Sequence, residues 1–339
     1  MTQMNLMKMT GPSLLLSFAI AIGYFAIATG CSKSDKTGSP APGQPLVNMT
    51  DIQYGANTDT SGNTVALTLD LYYPAGATTA RTYPLVVMIH GGSYINGDKA
   101  DMKGNSLILA DSGFVVASIN YRLGWRNGTG TCDGDTASQR LAVYRGLQDG
   151  NAALRFLMAY AAKYAINTGW VFIGGNSAGS SLSLNTTYIT DDVAKVSLSA
   201  TRATLGPVNT AGNALTNTFK IKGVCNMWGA LPDSTLITAA SAVPAISFHG
   251  TADSVVPYDI GHNQSCINFP MLYGSACIHR RLLAYNTPVL SNFVIGQGHG
   301  PAAYTHEFLM SNTACFFKRL IKGTPITSQV YTTLVSSCN

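Results

Sequence analysis

The sequence predicts a doubly wound, mostly parallel α/β sheet with antiparallel strands at its start, on three observations. Six short apolar runs bounded by turn residues read as strands buried on both faces, as in a parallel sheet. Segments with helical apolar spacing lie between several of them. Ahead of these, Val65, Leu67, Leu69 and Leu71 alternate with polar residues up to Pro74, the pattern of a half-buried antiparallel strand.

Along the chain, the runs are Leu85–Ile89, Phe114–Ile119, Val171–Ile173, Ile221–Met227, Ala245–Phe248 and Val289–Ile295. Leu147, Gly150, Leu154, Leu157 and Ala161 step by three and four, one apolar helix face. Tyr304 to Lys322 reads as another helix, with Lys318, Arg319 and Lys322 at the end where cations suit the dipole. No internal repeat is present, and residues 46–339 are expected to form one domain. Only 11% of residues are charged, against about 25% in a typical domain. Polar surface therefore comes mainly from Ser, Thr, Asn and Gly. A net charge of +5 with no run of Lys or Arg gives no stripe for phosphates, so no nucleic-acid partner is expected.

The N-terminal residues 1–30 read as a targeting segment rather than fold. Lys8 precedes an uncharged apolar stretch, Ser13 to Gly30, and Ala28-Thr29-Gly30-Cys31 is followed by a polar tether over 31–45. Small residues before a cysteine resemble a bacterial lipoprotein signal, in which Cys31 would be lipidated after cleavage, although Ala28 stands where Leu is usual. An ordinary secretory signal and a retained anchor are the alternatives. Each places the body of the chain outside the cytosol, with a membrane partner through Cys31 in the first case. Six cysteines then remain, an even number that reads as disulfides in an oxidising compartment. Short-range closure favours Cys266 with Cys277, Cys315 with Cys338 would pin the tail, and Cys225 sits in an apolar run as a candidate buried thiol. Cys132 lies in the polar, Gly-rich loop 127–136, which is placed to border a cleft. No Cys/His spacing supports a metal site, and nothing requires a cofactor.

The strongest local signal is the strand ending in Gly175-Asn176-Ser177-Ala178-Gly179. A serine held on a tight strand-to-helix turn points its hydroxyl outward, and small neighbours allow the crowded backbone. His90-Gly91-Gly92-Ser93-Tyr94 closes another buried strand. Its glycines free backbone N–H groups, and acyl transfer needs two or three such donors preorganised around an oxyanion. Gly92 and Ser93, with Ala178, are the candidates, and Gly91 is a further one; His90 reads as a brace. A serine nucleophile needs a base and an orienting carboxylate. Asp253 and His299 each follow a predicted strand at the carboxyl edge of the sheet, where ligands bind in open α/β folds. Asp233 and Asp259, and His306, His262 and His279, are the other candidates. His249 reads as a structural strand-end residue. Tyr94, Trp125 and Trp228 are candidates for an aromatic-lined substrate cleft, with core packing the alternative for Trp228.

HGGSY, GNSAG, HGTADSVVP and GHG, in that order, together resemble the α/β-hydrolase-fold serine esterases, nearest the carboxylesterase and hormone-sensitive-lipase-like branch and with features of secreted feruloyl-esterase and polyester-depolymerase relatives. Asn120 to Gly124 and Gln148 to Leu157 are also similar, and the likeness covers about residues 65–322. Ser93 stands in place of the third glycine of the common HGGG loop, and Ser180 in place of a glycine that often follows the serine motif. The resemblance implies hydrolysis of small-molecule or polymeric carboxylic esters through an acyl-enzyme. Two other functions fit the frame: a serine peptidase of the prolyl-oligopeptidase type, and a non-catalytic surface binding protein.

Overall fold

The computed structural model describes residues 43–130 and 132–336. The expected targeting segment, Cys31, most of the expected tether and Cys338 lie outside the described residues. Nine strands form one sheet: β1 (Met49–Thr58), β2 (Thr64–Tyr72), β3 (Tyr83–Ile89), β4 (Val115–Ile119), β5 (Ile166–Asn176), β6 (Ile221–Met227), β7 (Ala245–Gly250), β10 (Val289–Val294) and β11 (Gln329–Tyr331). A separate antiparallel hairpin pairs β8 (Ile260–His262) with β9 (Met271–Tyr273). The sheet order is β1-β2-β4-β3-β5-β6-β7-β10-β11. The first strands pair antiparallel, and from β4 through β11 every pairing is parallel. The doubly wound sheet expected from the sequence is therefore the fold.

The central strands are apolar along both faces because helices cover both sides. α1 (Lys103–Asp111) and α7 (His306–Lys322) pack on one face, against Val86, Met88, Phe172 and Phe248. On the other face α2 (Thr136–Ala159), α3 (Ala178–Tyr188) and α6 (Ser275–Ala284) enclose Leu85, Val87, Ile89 and Ile173. Each such side chain taken from water contributes roughly 1.5–3 kcal/mol. Two short helices, α4 (Asp191–Ser197) and α5 (Ser199–Leu205), follow α3.

Helix ends follow local chemistry. Asp135 caps α2 by accepting from the Ala137 N–H at 2.9 Å, and Thr305 caps α7 by accepting from Phe308 at 3.1 Å. Helix α7 stops at Gly323, whose φ of 65° suits glycine. Helix α2 starts at Thr136, well before the periodic stripe, where Asp135 supplies the cap; the first stretch has no clean apolar period to mark it in the sequence.

One cysteine expectation is corrected. Cys266 is bonded to Cys132, with a Cα separation of 5.3 Å, and not to Cys277. The loops carrying Cys132 and Cys266 meet in space: Trp125 packs edge-on to Phe269 at 5.6 Å, and Asn268 donates to the Cys132 carbonyl at 2.7 Å. Cys277 is instead buried as a free thiol on α6, as is Cys225 on β6. Cys315 is disulfide-bonded. Among the described residues no helix is long and apolar enough to cross a membrane.

Candidate active site

Ser177, Asp253 and His299 come from loops that leave the carboxyl ends of β5, β7 and β10. The sheet order places these strands close together, with only β6 between β5 and β7. His299 Nε2 lies 2.8 Å from Ser177 Oγ, and His299 Nδ1 lies 2.7 Å from Asp253 Oδ2. These contacts join residues 122 and 46 positions apart in the chain.

Ser177 sits between β5 and α3 with φ 53° and ψ −122°, a region L-residues rarely occupy. Its N–H donates to the Met227 carbonyl at 2.9 Å, which fixes the strained turn to β6. The flanking glycines are demanded by close approach. A Cβ on Gly175 would lie 2.4 Å from the Ile89 carbonyl oxygen, and one on Gly179 would lie 2.1 Å from the same atom. Both distances are below any tolerable contact, so the serine turn can press against the end of β3 only with glycine at these two places.

The turn after β3 is equally constrained. Gly92, Ser93 and Tyr94 all have positive φ, at 102°, 54° and 61°. Ser93 and Ala178 line the cavity beside Ser177. Gly91 lies against the serine, since a Cβ there would stand 3.3 Å from Ser177 Cβ. His90 is 1% exposed, stacks on Tyr121 at 4.4 Å and bonds through Nδ1 to the Gly91 carbonyl at 2.8 Å, a brace for the turn. Burial holds its imidazole below the usual histidine value.

The Asp253 carboxylate accepts four hydrogen bonds. Oδ1 takes the Val255 and Val256 N–H groups at 2.8 and 3.0 Å. Oδ2 takes His299 at 2.7 Å and His249 Nε2 at 3.1 Å. Burial pushes this carboxyl upward, but the hydrogen bonds from His249 and His299 outweigh it and hold the group well below the usual carboxylate range. The alternative acids and bases are engaged elsewhere. Asp233 caps a short turn through Thr235, and Asp259 pairs with Arg280. His306 bonds Asn105, His262 the Phe269 carbonyl, and His279 Ser291.

A cavity of about 240 Å³ opens from Ser177 between α2 and α3, under the loops that the Cys132–Cys266 bond joins. Tyr94 and Trp125 line it, with Val143, Leu147, Ile189 and Leu198. Trp228, expected at the cleft, is not among the lining residues. Its φ of 46° turns the indole behind the imidazole, where it stacks on Tyr304 at 6.1 Å and meets His299 edge-on at 6.4 Å. Three of the lining residues also carry a buried polar atom with no partner among the described residues: Trp125 Nε1, Gln139 Oε1 and Asn185 Oδ1. Among the described residues, no cluster of three or more His, Cys, Asp or Glu is placed to hold a metal ion.

Residues 69–238, half of the chain, match the protein-family model described as BD-FAE. The chain belongs to this family. BD-FAE is an α/β-hydrolase esterase family, and its matched segment contains the turn after β3 and the Ser177 elbow, while Asp253 and His299 lie beyond it. Carboxylesterase 3B of Mus musculus is 35% identical over 113 residues, 33% of this chain and 19% of that protein. Cocaine esterase of Oryctolagus cuniculus is 37% identical over 113 residues, 33% of this chain and 20% of that protein. The chain thus spans about a fifth of the length of these curated relatives. Among solved structures, a truncated carbohydrate esterase from gut microbiota superposes with a TM-score of 0.57 at 20% identity, covering 84% of this chain and 100% of that one. Thermogutta terrifontis esterase 2 phosphorylated by paraoxon gives 0.56 at 15% identity, covering 83% and 96%. At these identities the likeness is one of fold.

Several residues of this BD-FAE site carry no signal that the sequence reading could use. Gln139 and Asn185 lie on helices α2 and α3 and reach the cavity only because those helices pack together. The clasp of Arg122 on Asp149 is similar: the NYRLG and QDG segments belong to the resemblance, but nothing local pairs them. Arg122 Nε lies 3.0 and 2.9 Å from the two Asp149 oxygens, and its N–H donates to Oδ2 at 2.8 Å. The same loop gives the Gly124 and Trp125 N–H groups to the Tyr94 carbonyl, at 2.8 and 3.2 Å, tying it to the turn after β3.

Proposed function

We propose that this BD-FAE protein hydrolyses carboxylic esters through an acyl-enzyme on Ser177, with residues 46–339 as one catalytic domain. The observation that carries the reading is the unbroken hydrogen-bonded line from Ser177 Oγ through His299 to Asp253, at 2.8 and 2.7 Å. His299 Nε2 takes the serine proton as Oγ attacks the ester carbonyl. Asp253 holds the proton on Nδ1, so Nε2 presents its lone pair to the hydroxyl. The oxyanion lies against the N–H groups of Gly92, Ser93 and Ala178, none of which has an acceptor among the described residues. The imidazolium then protonates the leaving alcohol, and water repeats the cycle to release the acid. Covalent capture of an organophosphonate probe at Ser177 tests this directly; an unlabelled but active enzyme overturns it.

The cavity beyond Ser177 favours an aryl acyl group bearing a hydroxyl, the feruloyl type of ester, over a plain alkyl chain. Its walls are apolar and aromatic, yet Trp125 Nε1, Gln139 Oε1 and Asn185 Oδ1 stand buried and unpaired. A hydroxylated ring that reached one of these atoms would gain a buried hydrogen bond, about 1–3 kcal/mol over leaving it unmade, and an alkyl chain would not. Asn185→Leu is expected to lower kcat/KM for a hydroxyaryl ester about tenfold relative to its unsubstituted phenyl analogue, with p-nitrophenyl butyrate hydrolysis undiminished. An unchanged ratio removes the assignment.

We also infer export with a lipid anchor on Cys31. The Cys132–Cys266 disulfide supports an oxidising compartment. Metabolic incorporation of a labelled fatty acid, abolished by Cys31→Ser, is the expected result; label retained in that variant excludes the anchor.

A further inference from the structure

The Asp253 carboxylate has a donor that the reaction cycle above does not use. His249 is fully buried at the end of β7, and its Nε2 faces two acceptors, Asp253 Oδ2 and the Val256 carbonyl, both at 3.1 Å. A nitrogen between two acceptors must carry the proton. Nδ1 is then a lone pair, and it accepts from Ser275 Oγ at 2.7 Å. Ser275 Oγ accepts in turn from Asn226 Nδ2 at 2.9 Å. Asn226 Oδ1 accepts from the Ser180 hydroxyl at 2.6 Å and from the Gly229 N–H at 3.0 Å. The direction of this chain is set at both ends, by the two acceptors at His249 Nε2 and by the Gly229 N–H at Asn226 Oδ1. Asn226 Nδ2 has a second, longer contact to Ser247 Oγ at 3.4 Å. Ser180 lies on the first turn of α3, three residues after Ser177. The line from Ser177 through His299 to Asp253 is therefore continued, through His249, Ser275 and Asn226, back to the first turn of the helix that follows Ser177.

Resting on the serine-esterase reading, we propose that His249 is a positioning residue: through its Nε2–H it aims the Asp253 carboxylate at His299, and the Ser275–Asn226–Ser180 chain sets the tautomer it needs. The geometry separates this role from simple satisfaction of a buried polar group. The donors to Oδ1 come from Val255 and Val256, inside the acid's own loop, and move with it. Among the side chains bonded to the carboxylate, His249 alone stands on the sheet, and β7 is flanked by β6 and β10. It holds the acid loop in register with the helix that carries the nucleophile. The chain also gives Ser180 a task at the place where the resemblance expects a glycine. That the Asp253 carboxyl is held well below the usual carboxylate range agrees with two imidazole donors on one oxygen.

The titratable groups facing His249 are Asp253, His299 across that carboxylate, Tyr258, whose ring meets it edge-on at 5.9 Å, and Tyr304, whose hydroxyl donates to its carbonyl. Ser275 on α6 and Asn226 on β6 complete its surroundings without charge. Removing the His249 donor leaves the carboxylate more basic, so it holds a proton on His299 more tightly. The acid limb of the rate profile then moves to higher pH.

The test is the pH dependence of kcat and KM on p-nitrophenyl acetate for the parent, His249→Phe, His249→Gln and Ser275→Ala, with Ser177→Ala as blank. In His249→Phe, kcat is expected to fall about 10- to 100-fold with little change in KM, the scale found for residues that orient metal-binding histidines. Its acid limb should move up by roughly half a pH unit or more. Glutamine, which keeps an N–H at the same reach, should restore most of the rate. Ser275→Ala should shift the limb in the same direction. A His249→Phe enzyme with the parent's kcat and limb, a glutamine variant as impaired as phenylalanine, or an unmoved Ser275→Ala profile overturns the assignment. If His249→Phe does not fold, the glutamine and Ser275 variants decide. Activity surviving in Ser177→Ala would instead sink the serine mechanism itself.

Discussion

Ser177→Ala is expected to lower kcat on activated esters by about 10⁶-fold, leaving only what the empty site does to bound substrate. The size of the effect follows from the geometry. Serine is a poor nucleophile until a base takes its proton, and His299 Nε2 is already within 2.8 Å of it. Once the hydroxyl is gone, neither His299 nor Asp253 has a reaction to assist, so their losses do not add to it. Asp253→Asn should cost about 10⁴, since an amide can donate to His299 and favours the wrong tautomer. The pH dependence has a definite sign. Asp253 titrates well below the usual carboxylate range, so its ionised form is present at and above the unfolded value of about 3.9 and is lost only as pH falls through the depressed one. Its contribution to stability follows the same window. Above about pH 5, Asp253 should therefore add no ionisation to the kcat/KM profile. A limb of slope two there, or Ser177→Ala at more than about a thousandth of the parent's rate, contradicts the mechanism.

Arg122→Met is expected to destabilise the fold by about 3–5 kcal/mol, read as a fall in the urea midpoint. Its partner Asp149 is entirely buried, and the two side chains are 3% and 0% exposed. Burial raises the Asp149 carboxyl above its usual value, against the pull of Arg122. With the folded value above the unfolded one, the ionised carboxylate is a cost that grows as pH rises through the folded value. The intact pair therefore adds little net stability, but removing the guanidinium alone strands a buried charge. Arg122→Met combined with Asp149→Leu should recover most of the loss. Ester turnover should stay low in the double variant, because Arg122 also holds the Thr58 and Arg145 carbonyls and so anchors the loop that braces the turn at Tyr94. Equal stability of Arg122→Met and the parent would show that water reaches Asp149.

The sheet and the positions of the three principal candidate residues are legible because their signals are local. Apolar runs without alternation mean strands covered on both faces, and helices α1, α2, α3, α6 and α7 supply that cover. The edge strand β1 escaped because it is largely exposed, so burial imposes little pattern on it. The β8–β9 hairpin and β11 have three residues per strand, too few to show a period.

By itself the sequence determined the elbow at Ser177, the turn at Gly91-Gly92, and the strand-end positions of Asp253 and His299. Backbone sterics demand glycine wherever two chains nearly touch, and strand ends follow from where apolar runs stop. Only the tertiary structure decided that Cys266 joins Cys132, that Trp228 stands behind the imidazole, that Gln139 and Asn185 meet in one cavity, and that His249 reaches Ser180 through Ser275 and Asn226. Each of these depends on distances between segments far apart in the chain, and a polar side chain bears no mark of the partner that packing will bring to it.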